Sequence, residues 1–104
     1  MQSEKFLRML GLAKRAGGVA FGEGAVRDSI RDNTAKLVIV ANDAADNTKK
    51  KFNDNCNFYG IKCAELFDRY ALGKACGRDF AVVLSVKNEG LAKNMISMLD
   101  ADTL

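Results

Sequence analysis

The stretch Ala35-Lys36-Leu37-Val38-Ile39-Val40-Ala41-Asn42-Asp43 decides the fold. Its centre, Leu37 to Ala41, is an unbroken apolar run dominated by β-branched side chains. A strand wetted on one face alternates apolar and polar residues, so a continuous run predicts a strand covered on both faces. Such a strand belongs in the middle of a sheet that carries helices above and below it. Asn42-Asp43 ends the run.

The segments on either side supply those helices. Upstream, Phe6, Met9, Leu10 and Ala13 recur at helical spacing until Gly17-Gly18 closes the pattern. Val19 to Phe21 predicts a short strand, and Val26 and Ile30 stand one turn apart in a helix from about Ala25 to Arg31. Downstream, a helix from about Asp46 to Tyr59 puts Phe52, Cys56 and Tyr59 on one stripe, and Gly60 closes it. Ile61 to Phe67 reads as a strand, Asp68 as the cap of a short helix ending at Cys76-Gly77, and Phe80 to Val86 as a further strand. Asn88 caps a last helix whose Leu91, Met95, Met98 and Leu99 point one way. One helix followed by four strand–helix units predicts an α/β fold, a three-layer α/β/α sandwich with four main strands, five helices and a mixed sheet. At 104 residues the chain is expected to form a single domain over positions 1–104.

Composition narrows the chemistry. The chain contains no His, so the commonest general base and the commonest metal ligand are both missing. Its three cysteines, Cys56, Cys63 and Cys76, include no Cys-x-x-Cys pair. That argues against a zinc ribbon, a dithiol redox centre or a disulfide framework, and reduced thiols point to the cytoplasm. No metal or cofactor is expected. No apolar run approaches the ~20 residues of a membrane span, and Met1 to Phe6 does not read as a secretory signal. The net charge of +3 is uneven. Residues 1–52 carry ten Lys/Arg against six Asp/Glu, and residues 53–104 carry six against seven, so an anion-binding face should draw on the first half.

Within that half, Gly22-Glu23-Gly24 follows a strand and opens a helix, where free backbone amides and the helix dipole favour an anion. Arg27 occupies the place of a third fingerprint glycine, and no Lys-Ser/Thr pair follows, so a nucleotide loop is poorly matched. Both glycines also serve simply to turn the chain. Lys49-Lys50-Lys51 spreads over roughly 200° of a helix, which suits a solvated face rather than a focused patch. Asp43 and Asp46, near a strand's C-terminal end, could be an acid–base pair. The simpler reading makes Asp43 a strand terminator and Asp46 a helix cap. Without a His partner, the cysteines read as small buried hydrophobes. Phe67, ending a strand at a loop, is the aromatic most available for base stacking.

Three ordered segments carry a resemblance. They are Leu10-Gly-Leu-Ala-Lys-Arg-Ala-Gly17, Ala35-Lys-Leu-Val-Ile-Val-Ala-Asn-Asp43 and Leu72-Gly-Lys-Ala-Cys-Gly77, with Asn47-Thr-Lys-Lys-Lys51 and Cys56-Asn-Phe-Tyr59 between them. From about residue 4 to residue 100 the chain resembles the bacterial YlxQ-like branch of the ribosomal L-seven-Ae family of kink-turn RNA-binding proteins. The resemblance implies an α/β/α sandwich that binds structured RNA, in ribosomal or ribonucleoprotein settings, without catalysis. It places the RNA face on Gly22, Glu23, Gly24, Ala25 and Arg27, with Lys36 and the loop Phe67-Asp68-Arg69 beside them. Gly24, Ala25 and Asp28 stand where the family usually carries Asn, Glu and Lys. Gly24 and Ala25 have no side chain that could bond a purine edge, so recognition through backbone shape and phosphate is expected. The expected partners are structured RNA and the ribosome, no membrane is involved, and the protein should be a monomer. Two other readings stay open: a protein-interaction module that kept the fold, and a small phosphate-binding enzyme using Gly22, Gly24 and Asp43.

Overall fold

A computed structural model describes residues 3–101. In chain order the elements are α1 (Ser3–Arg15), β1 (Val19–Phe21), α2 (Glu23–Arg31), β2 (Leu37–Val40), α3 (Asp46–Tyr59), β3 (Lys62–Glu65), α4 (Arg69–Ala75), β4 (Val83–Val86) and α5 (Glu89–Ala101). The sheet runs β1-β4-β2-β3. Strands β2 and β3 are parallel, whereas β4 is antiparallel to both β1 and β2, so the sheet is mixed.

The two central strands, β2 and β4, are buried at every position. Alternate residues of each feed opposite cores, as the two-residue period of a strand demands. Leu37, Ile39, Leu84 and Val86 join Phe6, Leu10, Leu72 and Met95 beneath α1, α4 and α5. Val38, Val40 and Val83 join Val26, Ile30, Phe52 and Cys56 beneath α2 and α3. The result is a three-layer α/β/α sandwich with three helices on one face and two on the other. Ser85 is the polar exception on β4. Its hydroxyl lies 2.9 Å from that of Ser29, whose Oγ donates to the Val26 carbonyl at 2.7 Å, so neither buried hydroxyl lacks a partner.

Several boundaries differ from expectation, each for a local reason. Helix α2 begins at Glu23 rather than near Ala25, because Gly22 serves as its N-cap and a glycine cap leaves no side-chain signal. Ala45, not Asp46, is the N-cap of α3, and Asp46 is already helical. Strand β4 starts at Val83 instead of Phe80. The backbone before it is held elsewhere, with the Ala81 amide donating to the Arg69 carbonyl at 2.9 Å.

Strand direction positions everything that follows. Because β1, β2 and β3 share one direction and β4 opposes them, one end of the sheet gathers four connections. They are Gly22 after β1, Ala41 to Ala45 after β2, Leu66 to Asp68 after β3, and Cys76 to Val82 before β4.

Candidate nucleic-acid interface

The loop end is tied together by backbone hydrogen bonds. The Gly22 amide donates to the Val83 carbonyl at 3.2 Å, the Ala41 amide to Val82 at 2.8 Å, and the Asn42 amide to Phe67 at 2.8 Å. Together they join the four connections into one hydrogen-bonded rim around the start of β4.

Gly22 turns the chain from β1 into α2 with φ of +89°, a region that side chains other than glycine's rarely enter. Its carbonyl accepts the Val26 amide at 3.0 Å, closing the first helical bond. With no side chain at the cap, the amides of the first turn, Glu23 to Ala25, face outward for an external acceptor. Gly24 plays no part in the turn. It is helical, and open space surrounds the position a Cβ would take. Gly22 to Ala25 are all exposed, and Arg27 is half-buried on the second turn with no carboxylate partner among the described residues.

The Phe67-Asp68-Arg69 corner is built differently. Phe67 adopts φ of +61°, and its ring centroid lies 5.9 Å from that of Phe6, so the aromatic leans into the α1 layer and is left half-buried. Asp68 caps α4 by accepting from the amides of Tyr70 and Ala71. Arg69 turns back onto Asp43, donating from its amide, its Nε and its Nη2. Its guanidinium therefore fastens one corner to another.

Two cations outside the expected site residues also reach this end. The Arg78 guanidinium stands 4.3 Å over the ring of Phe21, the residue just before Gly22. Lys51 crosses from α3 to the mouth of α2, where its Nζ is 2.8 Å from Glu23 Oε1. The lysine run is thus shared among three carboxylates: Lys49 with Glu65, Lys50 with Asp54 and Lys51 with Glu23. Topology alone was the available signal for Arg78, since it lies in the connection that enters an antiparallel strand beside β1.

Lys36, which the resemblance places beside this site, does not join them. It precedes β2, at the opposite end of a strand roughly 15 Å long, and its Nζ donates to the Asn33 carbonyl at 3.3 Å. A residue before a strand and the loops after its parallel neighbours must lie at opposite ends.

The acid–base alternative rests on Asp43 and Asp46, and the nucleophile alternative on Cys56, Cys63 and Cys76. Asp43 is held by Arg69, and Asp46 stands exposed on the first turn of α3 without capping it. Cys56 and Cys76 are buried. A hydrogen bond to Cys63 and burial push the Cys56 thiol well above its ordinary range, and burial pushes Cys76 upward. Both are neutral thiols that pack as small hydrophobes. The rim can therefore offer amide donors, guanidinium groups and the aromatic rings of half-buried Phe67 and exposed Phe80 to an anionic chain.

Comparison with known proteins gives a consistent picture. The profile of the Ribosomal protein L7Ae/L30e/S12e/Gadd45 family matches residues 4–96. The chain is 40% identical to the "RNA-binding protein YlxQ" of Bacillus subtilis (strain 168) over 100 residues, covering 96% of this chain and 100% of that protein. It is 36% identical to the protein of the same name from Enterococcus faecium, with 93% of each covered. A solved structure described as a protein with unknown function from Bacillus halodurans C superposes with a TM-score of 0.90 at 36% identity, covering 92% of this chain and 97% of the other. The Giardia lamblia 15.5kD RNA binding protein superposes with a TM-score of 0.82 at 21% identity, covering 95% and 88%, and shares the fold.

Proposed function

This chain belongs to the ribosomal protein L7Ae/L30e/S12e/Gadd45 family, and on that premise we propose that it is a non-enzymatic RNA-binding protein that grips structured RNA on the loop end of its sheet. The observation that carries the reading is the uncapped first turn of α2, opened by Gly22 and flanked by Arg27 and Arg78. Amides aimed outward at a helix N-terminus suit phosphate, and the dipole adds to the attraction. The names of the relatives from Bacillus subtilis and Enterococcus faecium support the same reading.

In this account Gly22, Glu23, Gly24 and Ala25 present backbone to the RNA, and Arg27 neutralises phosphate. Asp68 and Arg69 hold the second corner in place, and Phe67 receives a base. Gly24 and Ala25 bring no side-chain acceptor or donor, so the protein reads the bend of the RNA backbone more than its bases. A kink-turn offers such a bend. The chain acts as one unit, as a cytoplasmic monomer on structured RNA, ribosomal or other.

Binding to RNA with and without a kink-turn, each at low and high salt, tests this. The expected result is binding that weakens as salt rises, with bent RNA preferred over a straight duplex. Absence of RNA binding at low salt, alongside retention of ribosomal protein partners after nuclease treatment, would leave an assembly module instead.

A further inference from the structure

We propose that the groove between α1 and α4 docks an acidic amphipathic helix of a partner protein. The groove is open to solvent and spans about 820 Å³. Leu7, Met9, Leu12, Ala71 and Ala75 supply its apolar lining. Leu12 is 47% exposed although α1 already sends Phe6, Leu10 and Ala13 into the core, so this leucine lies outside the sandwich packing.

The walls are basic. Lys5, Arg8 and Arg15 line the groove from α1, and Lys74 lines it from α4, against the single acid Glu4. None of the four cations has a carboxylate partner among the described residues. Lys5, Arg8, Leu12 and Arg15 share one stripe of α1, so charge and apolar contact run together along about three turns. The complement of an apolar trough with cationic walls is a helix with apolar anchors at i, i+3 or i+4 and i+7, flanked by Asp and Glu.

RNA fits this groove less well than the loop end. Beyond Glu4 and Lys5 in its first turn, the groove-lining residues of α1 have backbone amides bonded within the helix, and the lining carries no aromatic ring to stack on. Gly22, Arg27, Arg69 and Arg78 take no part in the groove, so the two surfaces use different residues.

The test uses a synthetic helical peptide with leucines at i, i+3, i+4 and i+7 and glutamates on its flanks. A control peptide carries lysine at each glutamate position. Backbone amide shifts of the full chain are followed during titration with each peptide and, separately, with an RNA hairpin. The expected result is saturable movement of amides in Leu7 to Leu12 and Ala71 to Ala75 with the acidic peptide alone. Leu12→Glu should weaken that binding by about tenfold or more while the unperturbed spectrum and hairpin binding persist. Silence of those amides, equal response to both peptides, or movement with the hairpin in place of the peptide would each overturn the proposal.

Discussion

Arg69 closes on Asp43 with three hydrogen bonds: its amide to Oδ1 at 3.1 Å, its Nε to Oδ2 at 3.2 Å and its Nη2 to the Asp43 carbonyl at 2.8 Å. The pair joins the corner after β2 to the corner after β3. An arginine beside a proposed RNA site invites a role in contacting phosphate, yet these bonds use it to shape the rim.

Removal of either partner should therefore act on stability before it acts on charge. Arg69→Ala and Asp43→Ala are each expected to lower the unfolding free energy by about 1 kcal/mol, the scale of a partly exposed, well-oriented pair. The double variant should cost less than the sum of the two. Urea denaturation of all three checks this, and strict additivity would show that the pair is not coupled.

Gly22 and Gly24 should respond in opposite ways to alanine. At Gly22, φ of +89° strains any side chain, so Gly22→Ala is expected to destabilise by roughly 1 kcal/mol or more. At Gly24 the position is helical and open, so Gly24→Ala is expected to stabilise by about 0.5–1 kcal/mol. Thermal unfolding of the two variants distinguishes the cap from the helix it opens.

Gly73 has a different constraint. A Cβ there would sit 2.5 Å from Phe80 Cα and 2.7 Å from its amide nitrogen, and both are backbone atoms that cannot rotate aside. Gly73→Ala should cost roughly 2–3 kcal/mol by forcing α4 away from the approach to β4. Denaturation midpoints well below those of Gly24→Ala would bear this out.

The cysteines should separate by reactivity. Cys63 is half-buried, whereas Cys56 and Cys76 are buried with thiols held in the neutral form. A thiol reagent at neutral pH should modify Cys63 first, and Cys56 and Cys76 about tenfold or more slowly until the chain unfolds. Mass spectrometry of a time course reads the order directly. Prompt modification of Cys56 in the native protein would contradict the packing described.

Much of the fold is legible because Leu37 to Val40 is a continuous apolar run and Val83 to Val86 is broken by Ser85 alone, and a sheet covered on both faces accommodates both. Caps are less so. Asp68 and Asn88 announce helices α4 and α5 by side chains that bond the first-turn amides, whereas Gly22 and Ala45 cap α2 and α3 without a side-chain bond. The site divides along a similar line. The Gly22 turn and the Phe67-Asp68-Arg69 corner are marked by residues whose chemistry is local. Lys36 and Arg78 depend on strand direction: the same charge lies at the rim or a strand's length away according to which end of its strand it flanks.

That dependence supplies the most direct test of the RNA interface. Binding of a bent RNA should be measured as a function of salt for the unmodified chain and for Arg27→Ala, Arg78→Ala and Lys36→Ala. The account predicts that each rim variant weakens binding and lowers the salt slope by about one, while Lys36→Ala leaves both unchanged. A loss at Lys36 equal to that at Arg27 and Arg78, or unchanged binding in the two rim variants, would contradict it.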